Sequence, residues 1–182
     1  VDAIGANVGV YKNGNEDEDF DFNEYVLYIG DTEEQTVNYA WGDTCTATIK
    51  AKQLTISGTT VADKEYDGTV EATVTAGTLA GLVSGDEISV SVMATGTFAS
   101  KDVAYGLGIE EQDVTVSYAL TGALANNYLA PVGETLRDAA TINPKTLSDI
   151  HLEKDYDGNG RFDKTVLTTE QGILEGESIK IY

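Results

Sequence analysis

Apolar and polar residues alternate along most of this chain. Ile88, Val90 and Val92 are separated by Ser89 and Ser91, and Val114, Val116 and Tyr118 by Thr115 and Ser117; Val70, Ala72 and Val74 keep the same period of two. Successive side chains of an extended backbone point to opposite faces, so this pattern, rich in Val, Ile, Thr and Tyr, predicts half-buried β-strands. Gly85-Asp86, Asp67-Gly68, Asn13-Gly14 and Thr121-Gly122 punctuate the runs with residues suited to tight turns. No helix-length stretch carries apolar side chains at i, i+3, i+4 and i+7, so the expectation is an all-β fold with little or no helix. One run, Thr46 to Ser57, changes phase near Lys52-Gln53: Ile49 and Ala51 share one parity, Leu54 and Ile56 the other. Such a slip marks a bulge or a passage from one sheet to the next. Its counterpart, Ala140 to Ile150, has Pro144 at the same join, which a central strand does not accommodate.

The alternation is itself repeated. Lys64-Glu65-Tyr66-Asp67-Gly68 returns as Lys154-Asp155-Tyr156-Asp157-Gly158, and Gly81-Leu82-Val83-Ser84-Gly85 as Gly172-Ile173-Leu174-Glu175-Gly176. Asn38-Tyr39, Ala47-Thr48-Ile49 and Lys52-Gln53-Leu54 return, in order, as Asn127-Tyr128, Ala140-Thr141-Ile142 and Lys145-Thr146-Leu147. A period of about ninety residues is a small domain, longer than the repeat of a solenoid. Boundaries placed at the two joins give 1–53 as the latter part of one β repeat, 54–146 as a complete repeat and 147–182 as the front part of a further one. The expected architecture is a tandem of small β-sandwich (Ig-like) modules, with β-grasp-like modules as the alternative.

Charge narrows the partners. Thirty-one acidic residues against eleven basic ones give a net charge of −20. Nucleic acid and anionic membrane surfaces both need a basic face, so neither is an expected partner. No apolar run approaches the roughly 20 residues that span a bilayer, and membrane insertion is not expected. Cys45 is the only cysteine, which leaves no intramolecular disulfide.

The repeated anchors resemble those of the bacterial YDG repeat, and of related MBG-type repeats, in secreted or cell-surface adhesins. The matching residues are Lys64 to Gly68, Leu79-Ala80-Gly81-Leu82 with Gly85-Asp86, Gly96-Thr97-Phe98-Ala99, Asn126-Asn127-Tyr128, and Ala140-Thr141-Ile142 with Pro144-Lys145. They cover residues 50–147 well, 148–182 moderately and 1–49 weakly. The resemblance implies an extracellular all-β module in a tandem stalk on the bacterial cell surface. Neighbouring repeats, copies of itself and a surface ligand of unknown identity are its implied partners. It implies no enzyme and supplies no catalytic residues. Physically, Asp-Gly suits a turn with positive φ, while the Tyr beside it packs its ring and sends its hydroxyl towards backbone. Asn-Tyr is expected to close the core in the same way.

The strongest chemical candidate lies on the second signature. Asp155, Asp157, Asn159 and Asp163, with the Arg161 carbonyl, fall at loop positions one, three, five, nine and seven of an EF-hand-type calcium loop; Gly160 stands at the sharp turn and Phe162 at the buried position. Ca²⁺ is therefore the candidate ion, although Val166 occupies the place of the bidentate Glu and the first copy lacks the pattern. The competing reading is a glycine-rich hairpin turn in an acidic protein. The acidic run from Asn13 to Asp21 is read as a solvated loop before a second cation site. His151 and Cys45, the single histidine and cysteine, are read as structural, which leaves no Ser–His–Asp or Cys–His set. Trp41 is read as a packing aromatic at a domain joint before a sugar platform. Lys52 and Lys145, at matching places, are candidates for an internal isopeptide crosslink.

Overall fold

The computed structural model of the chain describes residues 7, 9–12, 28–29, 33–34, 46–104, 106, 108–160, 165–167 and 171–181. It is all-β: among these residues there is no α-helix, and a 3-10 turn, Ala125–Asn127, precedes Tyr128. No helix among them is long and apolar enough to cross a membrane.

Two compact units emerge. One is built from Val1–Thr55, Leu79–Val92 and Leu120–Pro131, the other from Ile56–Thr78, Met93–Ala119 and Val132–Tyr182. Each takes residues from both sides of a boundary expected from the sequence, after residue 53 in one and after residue 146 in the other. Lys52 and Gln53, at the first of these boundaries, pair in parallel with Tyr128 and Leu129.

The second unit is organised by a five-stranded sheet, in the order Lys64–Glu65, Glu134–Asn143, Glu111–Thr121, Ser91–Phe98, Glu71–Ala72. Burial follows the predicted alternation. Along Glu111–Thr121, Val114 and Val116 are fully buried, and with Phe98, Ala140 and Ile142 they form the core. Val61, Ala72, Val74, Ala94 and Leu136 pack around it. A register shift after Gln112 is matched by Asp138, whose φ of 45° is rare outside glycine. Asp113 holds this bulge, accepting from Arg137 Nη1 at 2.5 Å and from the Asp138 N–H at 3.1 Å. The buried Gln112 is satisfied on both sides, taking the Ser100 N–H at 3.1 Å and donating to the Asp102 carbonyl at 2.8 Å. Thr165–Leu167 and Ile179–Ile181 add an antiparallel pair to this unit.

The first unit has its own smaller core. Leu54, Val90 and Tyr128 are buried, with Leu79, Leu82, Leu120 and Leu124 packed against them. Gln53 Nε2 donates to the Ala130 carbonyl at 2.7 Å, and the Leu54 N–H to the Leu129 carbonyl at 3.1 Å. Gly9–Lys12 pairs antiparallel with Thr46–Ile49.

Several sequence expectations change in detail. The run Thr46 to Ser57 breaks into three strands, Thr46–Ile49, Lys52–Gln53 and Thr55–Ser57, each in a different sheet, so its phase slip is a passage between sheets, as one of the two expectations had it. Ile88 is 95% exposed in a turn, and the strand begins only at Ser91. Alternation there continues through a turn held by the Ser89 N–H to Asp86 carbonyl bond. Val70, Ala72 and Val74 do not form one strand: Glu71–Ala72 edges the large sheet, whereas Val74–Thr75 pairs with Thr60–Val61. The turns at Gly68, Gly85 and Gly122 are present, with φ of 76°, 101° and 117°; Asn13-Gly14 lies outside the described residues.

Burial decides the cost of truncation. Ile142→Ala should destabilise by roughly 2–5 kcal/mol, whereas Ile88→Ala should stay within about 0.5 kcal/mol of the parent chain. Urea unfolding of the two variants checks this, and equal losses would place the core elsewhere.

Candidate functional site

The site grows from the first Lys-x-Tyr-Asp-Gly signature. Lys64 and Glu65 form an edge strand, parallel to Ile142 and Asn143, and the Tyr66 N–H extends the ladder by donating to the Asn143 carbonyl at 2.8 Å. The chain then turns. Asp67 Oδ1 accepts from the Thr69 N–H and the Thr69 hydroxyl, each at 2.9 Å, which is an Asx-type turn. Gly68 carries its positive φ without the strain a Cβ would add.

Into this turn the Lys64 side chain folds back. Its ammonium donates to Asp67 Oδ1 at 2.8 Å, the Thr69 carbonyl at 2.9 Å, Thr69 Oγ1 at 3.0 Å and the Glu71 carbonyl at 2.9 Å. The Phe98 ring lies beneath it, with its centroid 5.6 Å from Nζ. Lys64 and Glu71 belong to the two opposite edges of the five-stranded sheet. One ammonium therefore joins the edges that would otherwise present unpaired backbone.

The second signature builds the same cradle. Lys154 Nζ donates to Asp157 Oδ1 at 2.6 Å, the Asn159 carbonyl at 2.8 Å and Asn159 Oδ1 at 3.0 Å. The Asn159 N–H returns to Asp157 Oδ1 at 3.0 Å, and Asn159 takes the place of Thr69. In both copies the lysine side chain is largely buried and its aspartate about half exposed. The ammonium holds both carboxyls low, Asp67 at about 2 against an ordinary 3.8 and Asp157 in the same direction.

This geometry bears on the candidate calcium ligands. Asp157 and Asn159 are brought together, but around the Lys154 ammonium. Asp155 is exposed, while Arg161 and Asp163 lie outside the described residues. Val166 is in a strand, paired with Lys180. Among the described residues no group of three or more His, Cys, Asp or Glu is arranged to hold a metal. Two of the five candidate ligands, Asp157 and Asn159, thus meet a cation supplied by the chain, one residue before the first loop position. That lysine precedes Tyr-Asp-Gly in both copies, and its spacing to the aspartate was the available signal.

Two tyrosines mark further contacts. Tyr66 donates its hydroxyl to Glu177 Oε1, which raises its pKa, and Lys101 Nζ stands 5.8 Å from its ring centroid. Its hydroxyl therefore finds a carboxylate where backbone was expected. Tyr156, its counterpart, is 96% exposed. Tyr128 behaves as the sequence suggests: its ring is buried and its hydroxyl accepts from the Val83 N–H at 3.1 Å while donating to Asp86 Oδ2 at 2.5 Å. That bond to Asp86 raises its pKa. Lys145, a crosslink candidate, makes an ion pair with Glu65 at 2.9 Å, and Lys52 pairs through its backbone with Tyr128. His151 is exposed, 3.6 Å from Glu153. Trp41 and the run from Asn13 to Asp21 lie outside the described residues; Cys45 does too.

Two measurements test the cradle. Lys64→Met should lower stability by about 1–2 kcal/mol, the scale of charge-assisted hydrogen bonds discounted for a half-exposed partner. Lys101→Met, whose lysine lies on the surface beside Asp102 and Tyr66, should cost less. The pH dependence has a definite sign. Because the folded Asp67 pKa lies below the unfolded one, its stabilisation is complete above the ordinary 3.8 and is lost as pH falls through about 2. A carboxyl-carbon NMR titration placing Asp67 at or above 3.8 would contradict the contact.

No curated protein and no solved structure matches the chain. One family model does. Residues 50–135 match the model of the YDG domain, and this supports placing the stretch that holds the first lysine cradle in the YDG family.

Proposed function

We propose that the protein is an extracellular structural module of a bacterial surface stalk or adhesin, without catalysis, in which small β-sandwich modules follow one another in tandem. The observation that carries this reading is the duplicated cradle. Lys64–Asp67–Thr69 and Lys154–Asp157–Asn159 repeat one arrangement of ammonium, carboxylate and backbone carbonyl, donor to acceptor. A repeated element whose polar groups bind one another serves to hold a shape. The exclusion of nucleic acid and membrane rests on the net charge of −20, which also keeps a long array soluble and extended.

In this reading the repeats run 1–53, 54–146 and 147–182, and the short joins at Lys52-Gln53 and Pro144-Lys145 limit bending between them. The ligand is a neighbouring repeat or an unidentified surface partner. A second reading is a self-assembling filament subunit whose partial repeats complement one another head-to-tail by strand addition, with Ca²⁺ as its candidate cofactor. The exposure of Tyr156, where Tyr66 is covered, favours keeping it.

Light scattering after size exclusion separates the two. A stalk module stays monomeric across concentration with or without Ca²⁺, whereas a filament subunit grows with concentration. Melting should be unchanged by EDTA if the lysines are the resident cations, and a chelator-sensitive transition would restore calcium at Asp155 to Asp163. Labelling of intact cells with an antibody to the chain tests its location; signal only after permeabilisation would sink the surface role.

A further inference from the structure

Aspartate or asparagine directly precedes glycine at four places in the chain, and three of them lie in the two signatures: Asp67-Gly68, Asp157-Gly158 and Asn159-Gly160. At such pairs a backbone rearranges most readily, because no Cβ crowds the following nitrogen. That nitrogen attacks the side-chain carbonyl carbon and a carbon–nitrogen bond forms. Water leaves from aspartic acid, ammonia from asparagine. A water molecule then opens the succinimide at either carbonyl and gives aspartate or isoaspartate, the second with one more carbon in the main chain.

The cradle acts on the carbon under attack. Asp67 Oδ1 receives the Lys64 ammonium at 2.8 Å and the N–H and hydroxyl of Thr69 at 2.9 Å each. Three donors on one oxygen favour the anion, whereas water leaves readily only from the neutral acid. With Asp67 held at about 2 against an ordinary 3.8, the neutral acid is roughly 60-fold scarcer than in a free aspartate at any pH above both values. In the second copy Asp157 Oδ1 meets the Lys154 ammonium at 2.6 Å and the Asn159 N–H at 3.0 Å. Asn159 is gripped at both ends of its amide, by Lys154 at 3.0 Å on Oδ1 and by Asp157 Oδ2 at 2.8 Å on Nδ2. Rotation of that amide releases one grip or the other.

We propose that the lysine of each signature keeps the Asp-Gly bond beside it, and in the second copy Asn159-Gly160 as well, from closing to succinimide. The bond guarded in the first copy is one on which sheet closure depends. An isoaspartate at position 67 would lengthen the main chain between Lys64 and the Thr69 and Glu71 carbonyls that its ammonium binds. This role is the same whether the repeats build a stalk or a filament.

The test ages the intact chain at mildly acidic pH and maps its peptides, scoring isoaspartate separately at residues 67 and 157 and deamidation at Asn159. Lys64→Met should raise isoaspartate at Asp67 about tenfold, since the Thr69 donors remain, while Asp157 keeps the parent rate. Lys154→Met should do the reverse and speed deamidation of Asn159. Lys154 lies outside the described strands, so its variant leaves the sheet ladders intact. Ile142→Val retains both lysines and matches the stability loss expected for Lys64→Met, and it should age like the parent. Parent rates in both lysine variants, equal rises at both sites in either one, or a rise as large in Ile142→Val would each overturn the proposal.

Discussion

A lysine ammonium carries three hydrogens and a full charge, and it can collect oxygens from parts of a chain that no backbone ladder joins. Lys64 uses this to bring Asp67, Thr69 and Glu71 around one nitrogen, over the ring of Phe98. Its own strand edges one side of the sheet and Glu71 edges the other. Both edge strands are two residues long, too short to be stable on ladder bonds alone. The ammonium supplies the connection they lack, and the buried valines of the central strand are thereby enclosed. Asp67 has a second task, since the same oxygen that meets the ammonium also holds the turn through Thr69. Charge, turn and sheet closure converge there, and the lysine, the aspartate and the turn between them return at the second signature with asparagine in place of threonine.

The same interaction places a cation of the chain beside two oxygens whose spacing resembles that of a calcium site. Oxygens at alternate positions create a concentration of negative potential that any cation relieves. A lysine tethered to the loop is always present, whereas a free ion must be recruited and must shed part of its water. The first copy has threonine where the second has asparagine, yet the ammonium finds a side-chain oxygen and a carbonyl at that position in both. Thus the resemblance to a metal loop in the second copy comes from asparagine and the added glycine, while the shared geometry comes from lysine, aspartate and the turn.

Strand character was legible because side-chain alternation is a local property. Val114 and Val116 are buried as their pattern requires, and Pro144 follows the strand that ends at Asn143. Ile88 was misleading for the same reason: alternation persisted through a turn whose hydrogen bonds join Val83, Asp86 and Ser89. Val70, Ala72 and Val74 looked like one strand, but pairing partners on different sheets divided them. In the candidate site, aspartate, glycine and tyrosine were visible as a signature. The role of the lysine was hidden, because the acceptors it gathers include main-chain carbonyls that every residue possesses.

The sequence by itself determined that this chain is strand-rich and strongly acidic and that its Lys-x-Tyr-Asp-Gly signature occurs twice, ninety residues apart, since each of these is a matter of composition, alternation or self-comparison. Only the tertiary structure decided that the compact units are each built from separate stretches of the chain, that Lys64 ties the two edges of a sheet, and that Tyr128 closes one core. These are contacts between residues far apart in the chain. Their existence depends on which strands find each other, and the closure entropy, burial and hydrogen bonding that choose among pairings are properties of the whole fold.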